Sequence, residues 1–213
     1  MAAYDLEEQE QIAQLKAWWA QYGNLIVTLL LLLALGFAGW QWWSKYRNNE
    51  AVEASTLYFN LQRAAGNDDA AQVHLIANEM IDKHGDSVHT QLGAMLSAGM
   101  QFQKSDFDNA RLHFEWAADK GRDATLRDLA RLRLAAVLLQ QGETDGALLR
   151  LQPVPEGPLR ARFEDLRGDT LASQGKTAEA RTAWETAVGA LDNAADNTQL
   201  RRIIRIKLES LEG

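Results

Sequence analysis

A long apolar run near the N-terminus dominates the hydrophobic pattern of the chain. Leu25–Trp43 contains only two polar residues and no charge, and the uncharged stretch extends from Ala17 to Ser44. A helix rises about 1.5 Å per residue, so this run covers the roughly 30 Å hydrocarbon core of a bilayer. A buried core helix of a soluble protein rarely runs this far without a polar face, and we therefore predict a transmembrane anchor at 25–43.

Aromatic residues mark both ends of the predicted anchor. Trp18, Trp19 and Tyr22 precede its apolar centre, and Trp40, Trp42 and Trp43 follow it. Such residues gather at the two lipid–water interfaces. The preceding segment, residues 1–24, carries four acids against the single base Lys16, whereas a secretory signal peptide begins with a basic region and has a shorter apolar core. We therefore expect the anchor to stay uncleaved.

Residues 44–213 have the composition of an all-α domain. Alanine and leucine, which favour helices, dominate this part, and no alternating strand pattern occurs. Turn-forming residues recur along it, for example Gly66, Gly85, Gly142 and Gly175. The predicted helices between the turns are 50–65, 69–84, 87–104, 107–119, 123–141, 144–151, 159–174, 177–191 and 197–211.

A repeat is visible in every second predicted helix. An alanine precedes a large side chain by four residues in Ala71-x3-Leu75, Ala110-x3-Phe114, Ala147-x3-Leu151 and Ala180-x3-Trp184, and the successive alanines are 39, 37 and 33 residues apart. The small side chain lets two helices approach closely, and the large one fills the gap to the next pair. Because a pair cannot bury its apolar face alone, the pairs stack into an α-solenoid. The pattern resembles the tetratricopeptide repeat, and an irregular helical bundle is the alternative.

The last predicted helix, 197–211, has one apolar face with basic residues around it. We interpret it as a capping helix, because the end of a solenoid needs a polar outer surface. Its basic residues are Arg201, Arg202, Arg205 and Lys207. They are solvated in this interpretation, and contact with a membrane surface or an acidic partner is the alternative.

The sequence offers no candidate for catalysis, metal binding or cofactor binding. There is no cysteine, which excludes disulfides, thiolate zinc sites and cysteine nucleophiles. The histidines, His74, His84, His89 and His113, include no pair four residues apart on one helix face. No phosphate-binding loop or nucleophile motif occurs, and the net charge of -7 gives no reason to expect nucleic acid. These observations favour a protein-binding domain over an enzyme.

In tetratricopeptide arrays the first helix of each pair lines the concave face. Placing that arrangement on this chain predicts six apolar binding residues, Leu92, Met95, Phe102, Leu129, Leu132 and Leu139. The charged end of the groove is then formed by Arg162, Asp165 and Asp169. An apolar groove with a charged end suits an extended or amphipathic peptide. The alternative is that the six apolar residues only pack against neighbouring helices.

The order of these parts, together with the opening AYDLEEQEQIAQLKAWWAQYGN, resembles the YfgM family of bacterial inner-membrane proteins over essentially all 213 residues. The resemblance implies an ancillary subunit of the Sec translocon that works with the periplasmic chaperone PpiD, with an unfolded or translocating polypeptide as a further partner. It also implies that residues 1–24 lie in the cytoplasm, that the anchor crosses the inner membrane once, and that the repeat domain lies in the periplasm. No catalytic residues are known for the family.

The charges beside the anchor do not determine its orientation. Lys16 and the amino terminus lie on one side, and Lys45 and Arg47 lie on the other. The positive-inside rule then gives a nearly neutral bias that slightly favours a cytoplasmic C-terminus. Large domains translocate largely regardless of nearby charge, so the family topology stays compatible with it. A scaffold for another cell-envelope assembly complex is the alternative function, because repeat arrays serve many partners.

Overall fold

The computed structural model describes residues 2–191 and 197–211, except for the side chains of 2–10 and 44–49. Outside the described part lie Met1 of the predicted N-terminal segment, residues 192–196 and 212–213 of the repeat domain, and the side chains of Lys45 and Arg47. All regular structure in the described part is helical, which confirms the all-α fold class. The helices are α1 (Ala2–Gly66), α2 (Ala70–His84), α3 (Val88–Gln103), α4 (Phe107–Asp119), α5 (Ala124–Gln140), α6 (Thr144–Arg150), α7 (Arg160–Ser173), α8 (Thr177–Ala190) and α9 (Thr198–Glu209).

The N-terminal unit of the chain, Met1–Ala51, contains the predicted anchor. Within the described residues, Gln11–Trp43 is long and apolar enough to cross a membrane, and its most apolar window of 18 residues has a mean hydropathy of 2.0. Only 6% of its most apolar window is covered by the rest of the protein, whereas a core helix is mostly covered. The predicted segment 25–43 lies inside this range, and its exposed apolar surface fits a single-pass membrane anchor.

Helix α1 continues to Gly66, so the prediction of a separate helix beginning at residue 50 is wrong at its start. No glycine or proline occurs between Gly39 and Gly66, so the sequence has no strong helix breaker there. The other helices begin and end within two residues of their predicted limits. Their limits were predictable because short turns rich in Gly, Asp and Ser separate them.

The C-terminal unit, Val52–Gly213, is a series of stacked helix pairs. The last part of α1 packs with α2 around Leu61 and Met80. The following pairs are α3 with α4, α5 with α6, and α7 with α8, and α9 packs on α8 at the end of the series. We call α3, α5, α7 and the last part of α1 the first helices, and we call α2, α4, α6 and α8 the second helices.

Small residues bring the helices of a pair together, as the repeat pattern predicts. Ala110, Ala147 and Ala180 are all completely buried. Gly168 of α7 packs directly against the indole ring of Trp184, and a Cβ atom at this position would overlap the ring. The close approach of the two helices therefore depends on the small residue of the first helix and the alanine of the second.

The first repeat has a different register from the predicted one. Ala71 is exposed and Leu75 is 62% exposed, whereas Val73 and Ala77 are completely buried. The reason is the helix start. Asp69 caps α2 by accepting a hydrogen bond from the backbone N–H of Gln72 at 3.0 Å, and in every pair the buried position lies four residues after the cap. Val73 is thus the counterpart of the three buried alanines.

A buried glutamine holds the loop between the second and third pairs. The Gln91 amide of α3 donates hydrogen bonds to the carbonyl oxygens of Ala117 and Asp123, both at 3.2 Å. Its oxygen accepts a hydrogen bond from the backbone N–H of Asp123 at 2.8 Å. Gly121 lies against this amide, and a Cβ atom there would overlap the Gln91 side chain. Side chain and loop therefore fit together only because residue 121 is a glycine.

Candidate binding surfaces

The six predicted groove residues lie on α3 and α5, two first helices that contact each other. Leu132 is only 8% exposed and belongs to the central hydrophobic core. Met95, Phe102, Leu129 and Leu139 are half-buried and pack against that core. Leu92 is also half-buried but belongs to none of the hydrophobic clusters in the described part of the chain. The structure thus brings five of the six residues together, with one side of each packed on the core.

The predicted charged end of the groove has a different environment. Asp165 and Asp169 of α7 bind the ammonium group of Lys207 on α9, with N–O distances of 2.7 Å to each carboxylate. The indole N–H of Trp184 donates to the Asp165 carbonyl and to the Asp169 carboxylate, both at 3.2 Å. Helix α9 therefore lies against these two carboxylates, while Arg162 stays exposed.

Burial and the Lys207 charge act in opposite directions on Asp165. Burial raises the pKa of the Asp165 carboxyl, and the hydrogen bond and charge of Lys207 lower it by less. Asp165 and Asp169 are four residues apart on one helix face, so a cation on a neighbouring helix is a suitable partner for both. That spacing and the basic residues of α9 were both readable from the sequence, but their contact depends on how α9 folds back.

Two histidines that are 39 residues apart in sequence meet between α2 and α4. The rings of His74 and His113 are stacked with centroids 4.8 Å apart. The Asn78 amide donates to Nε2 of His74 and its oxygen accepts from Nε2 of His113, both at 3.0 Å. Burial, and then the nearby His74, lower the pKa of His113 to about 4. His113 is therefore neutral at physiological pH and joins two repeats.

The sequence pattern does not indicate this histidine pair, because the two residues lie on different helices and only the stacking of those helices brings them together. Among the residues that the structure describes, no three His, Asp or Glu side chains are grouped as metal ligands. The Asn78 bonds use the outer nitrogen of each ring, so the pair is explained by packing and hydrogen bonding. It is a joint between two repeats.

A cleft of about 420 Å³ lies between the last part of α1 and α2. Its floor is apolar and its rim is mostly polar. It is lined by Leu57, Asn60, Arg63, Ala64, Asn67, Asp69, Gln72, Ile76 and Glu79. The cleft depends on which face of α2 is buried. The sequence pattern placed the buried position at Ala71, two residues before Val73, and therefore did not predict the cleft.

Comparison with known families decides between a tetratricopeptide array and an irregular bundle. Residues 16–213 match the family model described as a tetratricopeptide repeat-like domain. The chain belongs to this family. The match includes the whole predicted anchor, 25–43, and the whole stacked series, so the family's domain here extends beyond the repeats themselves.

Three relatives of this chain share one name. A protein of Haemophilus influenzae is 29% identical over 87% of this chain and 90% of its own length. A protein of Neisseria gonorrhoeae is 27% identical over 100% of both chains, and one of Escherichia coli K12 is 26% identical over 85% of this chain and 87% of its own length. Each is named an ancillary SecYEG translocon subunit. The resemblance to the YfgM family noted from the opening residues is thereby confirmed.

Proposed function

We propose that this chain is a membrane-anchored protein-binding module and serves as an ancillary subunit of the SecYEG translocon. The observation that carries the proposal is similarity to proteins of that name, in one case over 100% of both chains, so that the anchor and the repeats of this chain both lie within the match. A shared repeat fold alone would support only a scaffold of some kind, because fold does not determine function.

The anchor and the repeats have separate tasks in this proposal. The anchor keeps the repeats in a thin layer at the membrane and raises their effective concentration beside the translocon. The half-buried face of α3 and α5, with Met95 and Phe102, holds a polypeptide by its apolar side chains. The output is binding, and no reaction is proposed.

The finer parts of the proposal concern place and partner. The N-terminus lies in the cytoplasm, the anchor crosses the bacterial inner membrane, and the repeats lie in the periplasm. There they associate with a chaperone of the PpiD kind and with unfolded or translocating polypeptides. Arrival of an extended chain at the translocon exit gives the repeats an apolar substrate before it folds.

Co-purification from membranes tests the partner. The full-length chain, tagged and extracted in a mild detergent, is expected to bring down SecYEG as the dominant complex, together with the chaperone. A matched single-span membrane protein without repeats serves as the control. If another cell-envelope assembly complex dominates, the proposal is wrong and the scaffold alternative takes its place.

Photo-cross-linking tests the surface. A cross-linking residue at Phe102 or Leu129 is expected to capture the chaperone or a translocating polypeptide in intact cells. Leu112 is the control because it is 55% exposed on a second helix, away from the proposed face. Capture only of lipid, or equal capture from all three positions, would contradict a binding role for α3 and α5.

Protease access tests the orientation. In sealed spheroplasts, added protease is expected to remove a C-terminal tag and to leave an N-terminal tag intact. Protection of the C-terminal tag until the membrane is broken would place the repeats in the cytoplasm. That result would remove the periplasmic chaperone as a partner.

A further inference from the structure

The cleft of the first pair occupies a position that is filled in the next pair. Asp69 and Asp106 are 37 positions apart, and each caps its helix through the backbone N–H three residues later. The same offset of 37 pairs every cleft residue with a residue of the second repeat. The two repeats can therefore be compared position by position.

Two counterparts of the cleft residues show that this position is the joint with the preceding pair. Ile76 corresponds to His113, which is completely buried against His74 and Asn78 of α2. Ala64 corresponds to Gln101, whose amide donates to the Ala70 carbonyl at 3.0 Å. The cleft is thus the stacking surface of the first repeat, and within the described residues no helix covers it.

The opposite end of the series also has an incomplete surface. Ile204 of α9 is completely buried, and Lys207 binds the two carboxylates of α7. The outer face of the same helix exposes Ile203 by 43% and Ile206 by 59%. The outer surface of a terminal repeat is usually polar, so these isoleucines are unusual for a cap.

Two arginines lie beside the exposed isoleucines. Arg202 and Arg205 are exposed, and neither has a hydrogen bond or an ion pair with any other described residue. By contrast, Arg201 donates to the Leu191 carbonyl at 2.9 Å. The outer face of α9 therefore combines two aliphatic side chains with two free guanidinium groups.

The cleft complements this face of α9 in its apolar floor and in the charge of its rim. Its floor is made of aliphatic side chains, including Leu57 and Ile76, and its rim carries the carboxylates of Asp69 and Glu79. Glu79 also binds Lys83 at 2.7 Å, but it remains 42% exposed. The rim cation Arg63 lies over the Phe59 ring at 5.1 Å, which engages its charge.

We propose that two copies of this chain associate head to tail, with α9 of one copy lying in the cleft between α1 and α2 of the other. The contact continues the stacking of helix pairs from one molecule to the next. It is a heterologous contact, because the two surfaces differ. The isoleucines pack on the apolar floor, and Arg202 and Arg205 face the rim carboxylates. Copies anchored in one bilayer share a thin layer, which raises their effective concentration.

Site-directed cross-linking of the purified full-length chain in lipid nanodiscs or vesicles tests this contact. The chain has no cysteine, so introduced ones react alone. One tagged copy carries Gln72→Cys at the cleft rim, and a differently tagged copy carries Gln199→Cys on the exposed side of α9. A short bismaleimide is expected to join the two tags. Leu149→Cys replaces Gln72→Cys in the control, because Leu149 is 74% exposed and far from the cleft in the repeat order.

Charge reversal tests which side chains make the contact. Arg202→Glu with Arg205→Glu is expected to lower the yield of joined copies by about fivefold or more, because carboxylates then face carboxylates. Lys120→Glu with Arg133→Glu makes the same change in charge on other exposed positions and is expected to leave the yield unchanged. Circular dichroism verifies that both variants fold.

Two results would overturn the head-to-tail contact. One is a yield from Gln72→Cys no greater than that from Leu149→Cys in the same membranes. The other is a yield that the reversal at Arg202 and Arg205 leaves unchanged. Both measurements use the purified chain without the translocon, so they succeed or fail independently of the proposed function.

Discussion

At the scale of single residues, Gly168 is a position where packing leaves no room for a side chain. The indole of Trp184 occupies the space that a side chain at 168 would need, and its N–H is bonded to Asp165 and Asp169. Gly168→Ala should therefore destabilise the fourth pair by about 1–3 kcal/mol, as overpacking does in other cores. The midpoint of chemical unfolding, followed by circular dichroism, measures the change.

Gly189→Ala is the matched control for this substitution. Gly189 also lies in a helix of the fourth pair, but nothing surrounds the position of its missing side chain. Alanine favours the helix by up to about 1 kcal/mol over glycine, so this variant should be as stable as the parent or more so. Equal effects at the two positions would show that Trp184 moves aside easily.

His113 makes the stability of the repeats depend on pH. The folded state lowers the pKa of His113 from 6.5 to about 4, so between these values the unfolded chain binds more protons than the folded one. Stability due to this residue is therefore complete above about pH 6.5 and is lost as the pH falls towards 4. The loss over this interval is of the order of 3 kcal/mol at most, from about 1.4 kcal/mol per unit of pKa.

The comparison of parent and His113→Gln isolates this effect from the titration of carboxylates. Glutamine keeps a donor for Asn78 but cannot be protonated. Unfolding midpoints at pH 7, 5.5 and 4.5 (chosen values spanning the interval) should fall more steeply for the parent than for the variant. Parallel curves would mean that His113 is hydrated or protonated in the folded protein.

At the scale of elements, Gln91 connects the start of α3 to the loop before α5. Gln91→Ala removes three hydrogen bonds and leaves two carbonyls and one N–H of the loop without these partners. The expected cost is about 1–3 kcal/mol, and amide hydrogen exchange should rise first in residues 117–123. Gln103→Ala, on the exposed end of the same helix, is the control. An increase in exchange confined to α3 itself would contradict the proposal that the Gln91 hydrogen bonds stabilise the loop.

Features that depend on residues close together in sequence were predictable, whereas features that depend on contacts between distant helices were not. Helix limits were read from local turns, and the buried alanines 110, 147 and 180 were read from a local repeat. The register of α2 was misread because Ala71 and Leu75 imitate the repeat, while the cap at Asp69 sets the true start. The pairs His74–His113 and Asp165–Lys207 join residues 39 and 42 positions apart, and only the stacking of the helices brings them together.

At the scale of the whole molecule, the division into an anchor unit and a repeat unit implies a division of labour. Met1–Ala51 and Val52–Gly213 form separate compact units. If the repeats bind the partner and the anchor only holds them at the membrane, another transmembrane sequence can replace the anchor without loss of binding. Any single span of equal length would keep the repeats in the same layer at the membrane.

Replacement of Leu25–Trp43 by an unrelated leucine-rich span of the same length should therefore preserve co-purification with SecYEG. Residues 1–24 and 44–213 stay unchanged, so the sequence of the repeats and the number of residues between the span and the repeats stay the same. Removal of the anchor together with residues 1–24 should lower recovery strongly, because the effective concentration at the membrane is lost. Quantitative mass spectrometry of the purified complexes measures both. Loss of SecYEG on replacement alone would place the recognition surface in the anchor helix itself, where Trp40, Trp42 and Trp43 are the largest exposed side chains.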